Sequence, residues 1–150
     1  MDRTALAQKV LKAQPFSQHL GMELLSAGEE EVELALPVRP EFYQHLGVVQ
    51  GGVIAALLDN ALTFAGGLVL GPEVLTVEFK LNFLRPAKGE RLLARGKVVQ
   101  AGKRLAVVQG STARNPSPSW WPWARAPSPR FRRRPRPRGP GRPGRRSAPS

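Results

Sequence analysis

The stretch GGVIAALLDNALTFAGGLVL, Gly51–Leu70, constrains this chain more than any other feature. Its length and its Ala and Leu content predict a helix rather than a strand. Gly71-Pro72 then closes it. The stretch is apolar on nearly every side, so the helix is expected to be buried on nearly every side. A membrane span is the competing reading. About 18 such residues barely cross a bilayer, and Asp59 at the centre would cost about 2.5–3.5 kcal/mol there. The flanks carry strand patterns, not further spans. The helix is therefore expected inside a globular core, with no membrane as partner.

The flanking patterns define the rest of that core. Residues 1–14 are mixed and polar, interrupted by Asp2, Arg3, Lys9 and Lys12, so no signal peptide is expected. Ala5, Val10 and Leu11 suit a short amphipathic helix that Pro15 ends. Residues 22–26 and 31–38 read as two strands around a turn at Ala27-Gly28-Glu29-Glu30. The second alternates, with Val32, Leu34 and Leu36 on one face and Glu31 and Glu33 on the other. After the helix, residues 74–84, 90–100 and 105–109 read as three more strands. Ala101-Gly102-Lys103 joins the last two as a hairpin turn. Two strands, one buried helix and a meander predict an α+β fold, a curved antiparallel sheet wrapped around the helix. Such a sheet leaves an outer face and edges uncovered, so a dimer or larger oligomer is expected.

Composition enters through its unevenness. The 150 residues suit one domain. The absence of Cys rules out a disulfide scaffold. A net charge of +12 by itself points to nucleic acid. Yet residues 1–110 carry 12 Lys and Arg against 11 Asp and Glu. Residues 111–150 carry 11 Arg and no acid, with 10 of the 15 Pro and all three Trp. The body, 1–110, is near neutral, and residues 1–15 hold its N-terminal helix. The Arg/Pro-rich tail, 111–150, has no hydrophobic period and is expected to be disordered. Ala, Gly, Pro and Arg have codons built from G and C alone. They fill 28 of the 40 tail positions but 36 of the first 110. Two readings of the tail stand: an out-of-frame translation of GC-rich DNA, or an arm for nucleic acid or another anionic surface.

The chemistry concentrates around the helix. His19 and His45 are the only histidines and have no metal-ligand spacing, so no metal site is expected. No nucleotide-binding loop and no GxSxG elbow is present. Gln44-His45-Leu46-Gly47-Val48-Val49-Gln50-Gly51-Gly52 leads into the helix. Unpaired amides at a helix start can hold a developing oxyanion. The alternative is that Gly51 and Gly52 only permit a tight turn and close packing. Asp59 is the one charge in the apolar stretch. It is either a base made stronger by desolvation or a structural carboxylate paired with a neighbour such as Asn60. Thr63, one turn on, can face the same side as Asp59 or be a tolerated small polar residue. Gly51 and Asp59 lie about 12 Å apart along the axis. One helix cannot place both on one carbonyl; two antiparallel helices across a dimer axis can.

Taken in order, several motifs in residues 16–110 resemble the hotdog-fold acyl-CoA thioesterases of the phenylacetic-acid-degradation (PaaI-like) type. They are Leu20-Gly21-Met22, Gly47-Val48-Val49-Gln50-Gly51-Gly52-Val53-Ile54 and Leu58-Asp59-Asn60-Ala61. Downstream come Thr76-Val77-Glu78, Asn82-Phe83-Leu84-Arg85-Pro86 and Gly102-Lys103-Arg104. The resemblance implies a hotdog fold and hydrolysis of an acyl- or aryl-acyl-CoA to free acid and CoA. It implies Asp59 as general base or nucleophile, Gly51 as oxyanion donor, and Gln44, Gln50 and Thr63 as orienting groups. Gly52, Asn82, Arg85, Lys103 and Arg104 would meet substrate. No cofactor beyond the CoA thioester itself is implied. A cytoplasmic homodimer or dimer-of-dimers tetramer is expected, with nucleic acid involved only through the tail. Two departures stand out. Gln50 occupies the place of the family's usual His, and the matching pattern stops at Gly110, so the last strand or strands look replaced. A non-catalytic acyl-CoA-binding hotdog protein, or an inactive frameshifted one, is the alternative.

Overall fold

The helix at the centre is α3, Gly51–Leu70. Leu57, Leu58, Ala61, Leu62 and Ala65 on its inner face are covered almost completely. Together they bury a continuous apolar ridge, the dominant favourable term in holding such a core together. The computed structural model describes residues 2–114, 125–126 and 130–133. Before α3 come α1 (Arg3–Lys12), α2 (Pro15–Leu20), β1 (Glu23–Ala27) and β2 (Glu31–Pro37), then a 3-10 turn at Pro40–Phe42. After it come β3 (Val74–Glu78), β4 (Arg91–Ala101), β5 (Leu105–Arg114), β6 (Arg125–Ala126) and β7 (Arg130–Arg133). Every pairing is antiparallel, in the order β1-β2-β4-β5-β7-β3, with β6 also on β5. α3 lies across β2, β4 and β5. This is the α+β hotdog architecture: an antiparallel sheet packed around one long helix.

Close approach of sheet to helix depends on two glycines that face each other. Gly96 of β4 pairs with Gly110 of β5. A Cβ on Gly96 would fall 2.2 Å from the Ala61 carbonyl oxygen of α3. One on Gly110 would fall 2.7 Å from a Leu62 methyl. The pair forms a notch that receives the α3 backbone, and no larger residue fits without moving the helix off the sheet.

The alternation read in β2 is observed: Val32, Leu34 and Leu36 are buried, while Glu31 and Glu33 sit on the other face and pair with Arg95 of β4. Three expectations change. The strand expected over residues 74–84 ends at Glu78. A strand persists only where a neighbour completes its ladder, and β7 pairs with β3 only from Val74 to Glu78. Residues 79–88 run on without regular structure. Second, α3 is not buried on every side. Gly52 is exposed, and Ala55, Ala56, Asp59, Asn60 and Thr63 are half-buried, because the sheet covers one side of the helix and α1 only part of the other. Third, the boundary placed at Gly110 falls inside a strand. β5 continues to Arg114, since β4 is long enough to pair with it as far as Leu92. β6 and β7 lie beside β5, β7 between β5 and β3, the place a further sheet strand would take. The remainder of the expected disordered tail, 115–124, 127–129 and 134–150, lies outside the described residues.

Candidate functional site

The start of α3 is built by its own sequence. Gln50 is the N-cap, and its side-chain Oε1 accepts from Val53 N–H at 3.2 Å. That satisfies one of the amides that a helix start leaves unpaired. Its backbone N–H donates to the Phe42 carbonyl at 2.8 Å, tying the cap to the preceding 3-10 turn. The Gly51 and Gly52 amides have no acceptor among the described residues. They point out of the positive end of the helix dipole. The Phe83 ring lies against Gly51, 3.3 Å from where a Cβ would be, so glycine is needed for that contact. At Gly52 a Cβ would meet Gln50 Oε1 at 2.7 Å, so glycine there leaves room for the cap. Gln44 uses its side-chain oxygen to accept from Leu46 N–H at 3.0 Å, closing its own turn.

Beside this helix start lies a cavity of about 390 Å³. Ile54 and Leu58 of α3 form its floor, and Asn82, Arg85 and Lys88 stand on one wall. Two of the residues expected to meet substrate, Asn82 and Arg85, are therefore next to the helix start. Lys103 and Arg104 are not. They sit on the β4–β5 turn, and Ala113 at the cavity is nine residues along β5, about 30 Å of strand away. Within one chain, those two cations do not join this cavity.

Asp59 belongs to a different group. Thr76 of β3 donates its hydroxyl to Asp59 Oδ1 at 2.8 Å. Thr63 donates to the Asp59 backbone carbonyl at 2.7 Å, and the two threonine hydroxyls lie 3.1 Å apart. Asn60 bonds elsewhere, to the Ala56 carbonyl and the Ser17 hydroxyl, so it is not the partner of Asp59. The ring holds three oxygen–oxygen contacts but only two hydroxyl protons. With Asp59 ionised, the Thr63–Thr76 contact has no proton. Burial raises the Asp59 pKa above its ordinary value of 3.8, and the Thr76 hydroxyl opposes that in part. Such a carboxyl is a stronger base than a solvated one once it has ionised.

The structure thus brings Thr63 to Asp59 as expected, and adds Thr76, which no reading of spacing singled out. The sequence signals for Thr76 are its place as a hydroxyl in a strand of alternating apolar residues and in the Thr76-Val77-Glu78 motif. Asp59, Thr63 and Thr76 do not line the cavity beside the helix start. Among the described residues, no three His, Asp or Glu side chains cluster as metal ligands would.

Comparisons with known proteins bear on this arrangement. A family model described as the thioesterase superfamily matches residues 46–112. That span holds both the helix start and Asp59. The medium/long-chain acyl-CoA thioesterase YigI of Escherichia coli K12 is 30% identical over 112 residues, spanning 63% of this chain and 72% of its own. A thioesterase family protein from Silicibacter pomeroyi superposes with a TM-score of 0.72 at 28% identity, covering 87% of this chain and 93% of its own. The E. coli PaaI protein of the phenylacetic acid degradation operon superposes with a TM-score of 0.73 at 18% identity, over 88% and 96%. At that identity it shares the fold alone.

Proposed function

This chain belongs to the thioesterase superfamily, and we propose that it hydrolyses an acyl-CoA thioester to free acid and CoA. The observation that carries the reading is the division of α3: unpaired amides of Gly51 and Gly52 at its start, and one desolvated carboxyl, Asp59, at its middle. A thioester hydrolase needs both, an oxyanion donor and a base or nucleophile.

A homodimer completes the site. Two α3 helices running antiparallel set Gly51 of one protomer opposite Asp59 of its partner. The β3 edge supports this assembly. Leu75 and Val77 on β3 are 48% and 55% exposed, and Phe83 and Leu84 just beyond are 57% and 58% exposed. A sheet edge with a row of exposed apolar side chains is suited to pairing with a second copy. The motifs leave a dimer of dimers open beside it.

In the completed site the Gly51 N–H holds the thioester oxygen as it becomes an oxyanion. Removing one such donor elsewhere lowers kcat by about 100- to 1000-fold. Asp59 takes a proton from the attacking water; alternatively it attacks the carbonyl itself, and water then cleaves the resulting anhydride to free acid, restoring Asp59 and supplying the proton for the thiolate. The C–O bond forms, the C–S bond breaks, and the CoA thiolate leaves with the proton. Thr76 holds the Asp59 carboxylate in register, and Thr63 bonds the Asp59 backbone carbonyl beside it. Gln50 caps the helix that presents the amide, and as a non-titrating group it does so at any pH. Arg85 and Lys88, with Asn82, suit the phosphates and pantetheine amides of CoA at the cavity mouth. The reaction needs no cofactor. An acyl rather than aryl-acyl substrate is supported by the likeness to YigI, and the PaaI-like subtype rests on the ordered motifs.

The test is acyl-CoA turnover followed by release of free thiol. The chain contains no Cys, so a thiol-reactive dye reads CoA alone. Asp59→Ala is expected to abolish turnover while leaving the fold intact. Unchanged turnover in that variant, or acyl-CoA binding with none in the wild type, refutes the reading.

A further inference from the structure

A second cavity, about 270 Å³, lies on the far side of α3 from the helix-start cavity. α1 forms one wall with Leu6 and Val10. The C-terminal half of α3 forms another with Phe64 and Leu68, and Thr63 stands at one end. The one charged group at its rim, Arg3, is turned toward Glu29, 3.7 Å away. Thr63 therefore touches two things. It faces this apolar space, and its hydroxyl bonds the Asp59 carbonyl and meets the Thr76 hydroxyl that serves the carboxylate.

We propose that this cavity is the acyl pocket, and that it selects unbranched saturated chains of medium length, with α1 as the wall that sets the limit. The proposal rests on the reading of Asp59 as the acid of a thioester hydrolase. A thioester carbonyl placed at Asp59 has its acyl chain beside Thr63, which lines the cavity. Apart from Arg3, Gln14 and Thr63, the lining is apolar and offers a chain dispersion contact. A water-sized group occupies about 30 Å³, and a methylene is of similar size, so the space holds roughly nine carbons. A chain of eight to ten carbons fills it, and a longer one must emerge past Leu6, which is itself 37% exposed. α1 is held to the body through Ala7 and Leu11, both buried, and by the Thr4 hydroxyl on the Ala27 carbonyl. Its pocket-facing side chains are thus free to vary without loss of that anchorage.

Two substitutions change the cavity in opposite senses. Gly67 lines it, and an added Cβ there would lie 3.7 Å from the nearest side-chain atom outside α3, a Val74 methyl. Gly67→Ala therefore takes up space without strain and favours the helix. Leu6→Ala removes part of the α1 wall. The measurement is kcat/KM on a ladder of saturated acyl-CoAs from butyryl to palmitoyl, on the full chain. In the wild type each methylene that enters the cavity is expected to raise kcat/KM by about fourfold, until the cavity is full. Gly67→Ala should lower the decanoyl-to-butyryl ratio by about fourfold, and Leu6→Ala should move the plateau to longer chains. General destabilisation cannot produce shifts of opposite sign. A chain-length profile unchanged in both variants, with turnover still present, overturns the pocket assignment. If the wild type hydrolyses no acyl-CoA, the functional reading fails instead. Sodium decanoate titrated against the wild-type chain then tests the pocket alone. Shifts of the Phe64 and Leu68 amide resonances support it, and their absence overturns it.

Discussion

Replacing Thr76 with valine removes one hydroxyl and keeps the shape of the side chain. That hydroxyl donates to Asp59 Oδ1 at 2.8 Å and lies 3.1 Å from Thr63 Oγ1. A hydrogen bond to a charged group contributes about 1.5–3 kcal/mol when well shielded. Thr76 is half-buried on an edge strand, so the lower end applies, about 1.5 kcal/mol. If the bond serves the ionised carboxylate in the transition state, kcat/KM at pH 7 should fall about tenfold, since 1.36 kcal/mol is a factor of ten. The pH dependence carries the sharper test. The Thr76 hydroxyl favours the ionised form and holds the Asp59 pKa down against burial. Without it, burial acts unopposed and the Asp59 pKa rises further. The acid limb of kcat/KM must then move to higher pH. Thr76→Ser retains the donor and should restore the wild-type limb. A tenfold loss with the limb unmoved, or a serine variant no better than valine, would refute the argument that Thr76 acts through the Asp59 carboxyl.

Asp59→Asn should abolish turnover and raise the thermal midpoint at pH 7. The folded-state pKa of Asp59 lies above its ordinary 3.8, so the folded protein binds this proton more tightly than the unfolded chain. The resulting stability is fully present below pH 3.8 and is lost as pH rises from there through the folded pKa. The asparagine variant should lack that decline in a pH series of thermal melts, and an identical slope would show that Asp59 is not the group responsible. Gly96→Ala should destabilise the fold by more than the usual 1–3 kcal/mol of an overpacked core, because its Cβ would fall 2.2 Å from the Ala61 carbonyl oxygen. Urea unfolding measures this, and a near-neutral result would mean that the sheet can lift from α3. Val77→Lys, at an exposed position on β3, should convert the protein to monomer in sedimentation and abolish turnover with it. A fully active monomer would show that one chain holds a complete site.

How far the site was legible depends on the range of the interactions that build it. Gln50, Gly51 and Gly52 are neighbours in sequence, and their roles follow from rules that act within one helical turn. Thr63 was placed beside Asp59 by the same local logic, and its hydroxyl is indeed on the Asp59 carbonyl. Thr76 could not be found that way. It is 17 residues from Asp59 and meets it only because β3 returns alongside α3. Lys103 and Arg104 depend on the fold in another way. A basic turn is visible in sequence, but its distance from the helix start is set by the length of β5.

The sequence by itself determined the central helix, the alternation of β2, the neutral body and the Arg-rich tail, and the lone acid in an apolar stretch. These are local or compositional properties, and periodicity records them directly. Only the tertiary structure decided where the edge strand stops, which hydroxyls surround Asp59, and that Gly96 and Gly110 face each other to admit α3. It also decided that α1 walls an apolar cavity beside Thr63. The reason is physical: ladder partners, close backbone approaches and cavities arise between segments distant in sequence, and no pattern within either segment encodes the other's position.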